Sequence, residues 1–347
     1  MTLLRKLDWY ENHERVIPGH HHIAGLVELL LQRGYSSHQI LKRTKLFYDD
    51  ILTGRSLISP AQYCQIIRNA TDLYNQPELS FLWGHSLYPG NYDGPSQLIS
   101  HVDTLSALIN IFCQYPKLTP LMTLTRWEDE HTLYLEWSDA IGFGSLQSFL
   151  VEAYSTGIVS LINWYFGEKL PWRHGFSEGA PTYIEEYEVN LGRRIQFNMG
   201  MNLIMLDKQW LQMPIPLHNR KPSSNVAFSI AKKQSDDENL KQRVGFVQQI
   251  KDLHITHMPN SYNLDELSAL LNMSPATFKR KLGKHQTNFQ RLQDRARLSV
   301  SLRLMQQKDL KTQDVAEYFE IRDVNNFRRA FKRWCGMTPA AIKERLV

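Results

Sequence analysis

Asn325, Arg328, Arg329 and Lys332 lie on one short stretch, Asp323-Val324-Asn325-Asn326-Phe327-Arg328-Arg329-Ala330-Phe331-Lys332-Arg333-Trp334. An asparagine amide matches the donor and acceptor on an adenine edge, an arginine fork matches guanine O6 and N7, and lysine neutralises phosphate. Phe327, Phe331 and Trp334 recur at helical spacing and form a stripe to bury, which turns Val324, Asn325, Arg328, Arg329 and Lys332 elsewhere. One helix therefore carries both base-reading and phosphate-neutralising groups. Upstream, Met273-Ser274-Pro275-Ala276-Thr277-Phe278-Lys279-Arg280-Lys281-Leu282 repeats the layout: Phe278 and Leu282 share a packing face, and Ala276, Lys279, Arg280 and Gly283 share another.

Each of these helices needs a partner that fixes its angle. Before the first, Asn263 with Glu266 reads as a capping box, Asn272 suits a tight turn, and Ser274-Pro275 supplies an N-cap and a first-turn proline. Before the second, Thr312 and Asp323 read as N-caps, and Gly336 suits a helix stop. Residues 262–335 thus hold two helix-turn-helix patterns joined by a long basic helix.

A soluble helical bundle with a solvated charged face would also be basic there, but the charge is unevenly divided. Residues 239–347 hold 20 Lys+Arg against 10 Asp+Glu, while residues 1–238 hold 20 against 25. A basic region joined to an acidic one is expected when only one of them meets a polyanion. The alternative within DNA binding is a ligand-independent architectural or nucleoid-type protein with shallow sequence preference. Lys279, Arg280, Asn325, Arg328 and Arg329 favour base reading instead.

The stretches Met273 to Arg280, Asp294-Arg295-Ala296-Arg297-Leu298, and Phe327 through Cys335-Gly336-Met337-Thr338-Pro339 resemble the DNA-binding domain of the AraC/XylS transcription regulators, over about the last third of the chain. The resemblance implies two helix-turn-helix subdomains that insert their second helices, here Pro275 to Lys284 and Val324 to Arg333, into successive major grooves of promoter DNA. Carried over, the first set of DNA contacts is Pro275, Ala276, Thr277, Lys279, Arg280, Lys281 and Lys284. The second is Arg322, Val324, Asn325, Asn326, Arg328, Arg329, Lys332 and Arg333. It also implies an activator working with RNA polymerase. The chain departs from the pattern at Glu320-Ile321, where the family has Gly-Phe, and at Gln286, where it has Gly. A non-glycine residue in a left-handed turn costs about 1 kcal/mol. A DNA-repair alkyl transferase with an AraC-like domain is excluded by the lack of a Pro-Cys-His motif and a zinc-binding cysteine set.

The expected division is a sensing and oligomerisation domain over 1–217, a linker over 218–238 rich in proline, serine and charge, and the DNA-binding domain over 239–347. Val244, Val247 and Ile250 fit an apolar stripe, so helix is expected from Asn239. Helical periodicity also marks Ile23 to Arg33, Ala61 to Tyr74, Leu105 to Tyr115 and Leu146 to Phe166. Alternation predicts strands at Leu121 to Trp127 and Thr132 to Trp137, with others over Trp172 to Ser177 and Ile195 to Leu206. The fold class is an α+β N-terminal domain followed by an all-α domain of two helix-turn-helix subdomains. Met1 to Asp8 lacks a signal-peptide apolar stretch, and Ile23 to Leu31 is interrupted by Glu28 and too short to span a bilayer. Cys64, Cys113 and Cys335 have no CxxC spacing and read as small hydrophobes in a reducing cytoplasm, with no membrane partner.

The N-terminal region resembles the arabinose-binding type of domain found in regulators of the ornithine and arginine kind. The resemblance rests on Ile58-Ser59-Pro60-Ala61-Gln62-Tyr63, Pro77 to Gly84, Gly167 with Leu170-Pro171-Trp172, Glu185-Glu186-Tyr187 leading to Ile195-Gln196-Phe197, and Pro214 to Leu217. It implies a sensor of an unknown small effector, in a chain able to form a homodimer. Arg126, Trp127, Tyr134, Trp137, Tyr154, Trp164 and Tyr165 have the composition of pocket walls, although core aromatics look the same. His20-His21-His22 near His13 invites a metal, but consecutive residues diverge and no Cys or carboxylate completes the set, so an exposed polar patch is expected. Ser145 is not in a GxSxG elbow, and no P-loop, dinucleotide fingerprint or HExxH occurs, so no enzyme chemistry and no cofactor is expected.

Overall fold

The computed structural model describes residues 8–216, 225–241, 243–307 and 310–346. Pro222-Ser223-Ser224, part of the expected linker, and most of the Met1 to Asp8 stretch lie outside the described residues. The chain opens with β1 (Trp9–Tyr10), β2 (Ile17–Pro18), α1 (His22–Gln32), α2 (Ser37–Ile40), α3 (Tyr48–Leu52), β3 (Leu57–Ile58), α4 (Pro60–Tyr74), α5 (Leu79–Leu87), α6 (Gly94–Ile99) and α7 (Leu105–Gln114). Next come β4 (Met122–Glu128), β5 (Thr132–Asp139), α8 (Gln147–Phe166), β6 (Arg173–Gly175), α9 (Ile184–Leu191), β7 (Ile195–Gln196) and β8 (Asn202–Asp207). The C-terminal part runs α10 (Asn225–Lys241), β9 (Val244–Gly245), α11 (Phe246–Thr256), α12 (Leu264–Leu270), α13 (Pro275–Lys284), α14 (Phe289–Gln307), α15 (Thr312–Tyr318), α16 (Val324–Cys335) and α17 (Pro339–Leu346). An α+β region thus precedes a helical one, and the four long periodic stretches appear as α1, α4, α7 and α8.

β4 and β5 form the expected hairpin, closed by Asp129, whose Oδ1 accepts from the His131 and Thr132 amides at 2.8 and 2.7 Å. They belong to a five-stranded sheet of order β4-β5-β8-β6-β7, antiparallel except for the parallel β6–β7 edge. Leu133, Leu135 and Trp137 of β5 and Ile204 and Leu206 of β8 face the N-terminal core, where α8 packs on α5. Polar and apolar residues alternate along β5 as expected for a strand, and every β5 residue is buried, the polar ones included. The second face, with Trp127, Tyr134, Leu203 and Met205, shares one core with Leu298, Leu302, Phe327, Phe331 and Ile342 of the C-terminal helices. A period of two fixes which residues share a face but not what covers that face.

The expected linker also differs. Residues 225–241 are helical, and α10 packs on α6. No proline interrupts the stretch, Lys232 and Asp236 pair at 2.8 Å one turn apart, and Asp236 accepts the Tyr115 hydroxyl at 2.6 Å. The charge run of the expected linker is thus seated on the N-terminal region. After it, Val244 is not helical but lies in β9, which pairs in parallel with β1, and the next helix begins only at Phe246. The apolar spacing was shared between a strand and a helix start, which periodicity alone does not separate.

Candidate functional site

Local capping sets the first reader. The Asn263 side chain accepts from the Glu266 amide at 2.9 Å, and Glu266 reaches back to the Asn263 amide at 2.9 Å, which completes the expected box. Asn272 turns the chain at φ 54°, and Ser274 caps α13 by accepting from the Thr277 amide at 3.2 Å. Phe278 and Leu282 are buried against Phe246, Leu267 and Leu292. Pro275, Ala276, Thr277, Lys279, Arg280, Gly283 and Lys284 are exposed. Lys281 stands apart from them: its ammonium pairs with Glu11 and lies over the rings of Trp9 and Phe246, at 4.9 and 4.7 Å from their centroids. Burial alone would raise the Glu11 carboxyl, but hydrogen bonds from Lys281, Trp9 and His285 outweigh it and hold the group below the ordinary range.

The second reader has the same construction with one correction. The N-cap of α15 is Lys311 rather than Thr312, because the Asp314 carboxylate accepts the Lys311 amide at 2.8 Å and starts the helix one residue earlier. Glu320 makes the turn at φ 58°, and Asp323 caps α16 by accepting from the Asn325 amide at 2.8 Å. Phe327 and Phe331 are buried, with Trp334 packed beside them. Arg322, Asn325, Asn326, Arg328, Arg329, Lys332 and Arg333 are exposed, and Val324 is half-buried. Asn325 and Asn326 accept from Arg328 and Arg329 at 3.3 and 2.9 Å, so the amides and guanidinium groups pre-order each other. Arg333 also reaches Asp294 of α14 at 3.6 Å.

α14 joins the two readers and is clamped to the sheet. Glu136, buried on the second face of β5, accepts from Lys251 of α11 at 3.1 Å and from Ser299 and Arg303 of α14 at 2.6 and 3.2 Å. Burial would raise its carboxyl, yet the charges of Lys251 and Arg303 and the Ser299 hydroxyl hold it below the ordinary range. Close backbone approaches complete the seam. A Cβ on Gly142, at φ +85°, would lie 1.8 Å from the His285 carbonyl, and one on Gly200, at φ +70°, 2.3 Å from Cys335 Cβ. Gln286, at φ 51°, lies against Gly144, so one departure from the family pattern is a contact with the N-terminal region.

A cavity of about 640 Å³ opens between the two regions, walled by Ile17, Leu121, Met122 and Thr125 on one side and by Arg243, Val244, Gln248 and Asp252 on the other. Sequence composition gave no signal for it, because its walls converge from β2, β4, β9 and α11. The aromatic candidates do not line it. Trp127 and Tyr134 stack at 5.4 Å on the second face of the sheet, and Trp137, Tyr154 and Tyr165 sit in the N-terminal core. Trp164 is exposed, and Arg126 is occupied by Glu128 and Asn110. The histidine run is not an exposed patch: His21 and His22 are buried and His20 is half-buried, since the start of α1 folds under Tyr92.

The family profile described as the arabinose-binding domain of AraC transcription regulators matches residues 34–215, and a helix-turn-helix domain profile matches residues 267–345. This chain belongs to the AraC transcription regulators. The ornithine utilization regulator of Pseudomonas aeruginosa is 20% identical over 321 residues, 92% of this chain and 94% of the relative. A helix-turn-helix-type regulator of Mycobacterium bovis is 32% identical over 80 residues, 23% of each chain. The solved transcriptional regulator CdpR from Pseudomonas aeruginosa covers 80% of this chain and 91% of its own, at 17% identity and a TM-score of 0.34. This AraC-type regulator joins an N-terminal ligand-binding domain to a helix-turn-helix DNA-binding domain, and its relatives are regulators rather than enzymes. Among the described residues no helix is long and apolar enough to cross a membrane.

Proposed function

We propose that this AraC-type regulator is a sequence-specific activator that reads two successive major grooves with α13 and α16. What supports the reading is one arrangement: Lys279, Arg280, Asn325, Arg328 and Arg329 stand exposed on two capped helices whose opposite faces are buried, with α14 between them. Pro275, Ala276 and Thr277, and Arg322, Val324 and Asn326, lie at the helix starts that enter a groove first. Lys284, Lys332 and Arg333 serve phosphates. Lys281 joins them only when it leaves Glu11. The working division is a sensor over 1–217, a connection over 218–238 and a reader over 239–347. The regulator acts in the cytoplasm on promoter DNA with RNA polymerase, as a homodimer.

The effector sits in the cavity between the two regions, whose size suits a small molecule. Arg15 and Arg243, Glu238 and Asp252 surround apolar Ile17, Leu121 and Met122, which fits a molecule with charged ends and an apolar middle. Because both regions wall the cavity, a bound effector changes the relative population of their arrangements through its differential affinity for each. Titration of variants onto specific and random duplex tests the DNA reading. Arg280→Ala and Arg329→Ala each cost about 1–3 kcal/mol on the specific site and relax preference at one base pair, whereas Lys332→Ala weakens all sequences alike. Equal losses on both duplexes for Arg280→Ala would assign it to phosphate.

A further inference from the structure

The three consecutive histidines before α1 have different fates. His22 is committed to the fold: its Nε2 lies 2.9 Å from the Leu118 carbonyl, and its ring stacks on Tyr92 at 4.0 Å. His21 is only 4% exposed, yet its Nε2 has no hydrogen-bond partner, and neither has the buried Nδ1 of its neighbour His20. A buried polar atom left unpaired costs about 1–3 kcal/mol, so two on adjacent rings point to a ligand between them. Asp93 completes the group from the far side. It is held at φ 60° at the start of α6, with its Oδ2 3.7 Å from His21 Nε2. One donor atom from each of His20, His21 and Asp93 lies within 4.8 Å of the others.

We propose that His20, His21 and Asp93 bind a divalent transition-metal ion of the zinc type. Two imidazoles and one carboxylate form a borderline-soft set that suits zinc and its neighbours better than magnesium or calcium. Metal bonds of about 2.0–2.2 Å draw donors somewhat closer together than they stand here, a movement within reach of the half-exposed Asp93. Three protein donors leave a position open, and His21 lines the cavity between the two regions.

The site has a built-in competitor. Lys117 Nζ lies 3.1 Å from Asp93 Oδ2 and 2.5 Å from Glu238 on α10. An arriving cation repels Lys117 from Asp93 and leaves it to Glu238, so metal occupancy is coupled to the helix that connects sensor and reader. The proposal does not depend on which molecule fills the cavity.

Zinc titration of the chelator-stripped full-length protein against a chromophoric chelator, with cobalt(II) absorption as a second probe, tests the site. The expected result is one bound equivalent with the absorption of a tetrahedral cobalt centre. Asp93→Asn and His21→Ala each weaken binding at least about tenfold, and Lys117→Met tightens it. Asp93→Asn alters a half-exposed side chain and keeps the test open should His21→Ala misfold. Failure of the wild-type protein to bind an equivalent at micromolar zinc would overturn the proposal. So would affinity that stays the same in Asp93→Asn.

Discussion

Glu136→Gln removes one charge from the point where the sheet grips the reader helices. In the wild-type protein the carboxylate is 4% exposed and serves Lys251, Ser299 and Arg303, all of them on α11 and α14. Lys251 is nearly as buried, at 7%, so it has no easy route to water when its counter-charge is lost. Breaking one side of a buried ion pair costs about 3–5 kcal/mol, most of it from the stranded partner. The amide retains some hydrogen bonding, which places Glu136→Gln at the lower end, about 3 kcal/mol, or at least about a hundredfold in the docking equilibrium. Hydrogen exchange should therefore accelerate in α11, α14 and β5 together, while α4 and α5 in the N-terminal core keep their protection. Pairing Glu136→Leu with Lys251→Met should recover only part of the loss, because the Lys251 charge goes with its partner while Arg303 and Ser299 still lose their acceptor. Unchanged exchange in α11 and α14, with a stability loss under about 0.5 kcal/mol, would refute the clamp.

Acidification, backbone crowding and turn strain give three further tests. Burial lowers His174 to about 3 and His254 to about 4, so below about pH 6.5 the unfolded chain binds protons that the folded chain refuses. Stability is full above the ordinary histidine range and falls between about pH 6.5 and 4, by up to about 1.4 kcal/mol per pH unit for each histidine; a flat unfolding midpoint over that window would contradict it. Gly200→Ala places a methyl against Cys335 on top of the left-handed strain, whereas Gly167→Ala, at φ +72° with open space, carries the strain alone. Urea unfolding should show the first costing more than the roughly 1–2 kcal/mol of the second, and equal losses would mean that the seam is looser than described. Glu320→Gly relieves a left-handed glutamate at some cost in chain entropy, for a net gain of about 0.5–1 kcal/mol in thermal unfolding. A loss of stability would show that the Glu320 side chain supports the turn.

The parts legible in the sequence were those fixed by neighbours a turn apart. The Asn263–Glu266 box, the Ser274 and Asp323 caps and the left-handed Asn272 each depend on three or four residues, and both packing stripes follow from a single helical period. Even the unusual Gln286 and Glu320 occupy the left-handed turns expected of the glycines they replace. Thr312 misled because the Asp314 carboxylate chooses the cap and reaches one residue further back. What stayed hidden depends on long-range closure. Tyr134, Glu136 and Ser138 alternate like a solvated strand face, and only the arrival of α11 and α14 buries them. The charges of α10 read as those of a linker, and only their distant partners show otherwise: Asp236 finds Tyr115 and Lys117 finds Glu238. The burial of His21 likewise depends on Tyr92 and Asp93, far along the chain.

Selection of bound sequences from random duplex DNA by the purified full-length protein, at near-physiological salt, tests the paired readers most directly. The expected result is a site with two half-elements about one helical turn apart, with preference relaxed at one base pair of one half in Arg280→Ala and of the other half in Arg329→Ala. Binding without enrichment of any motif would contradict it and leave a sequence-indifferent architectural binder in its place.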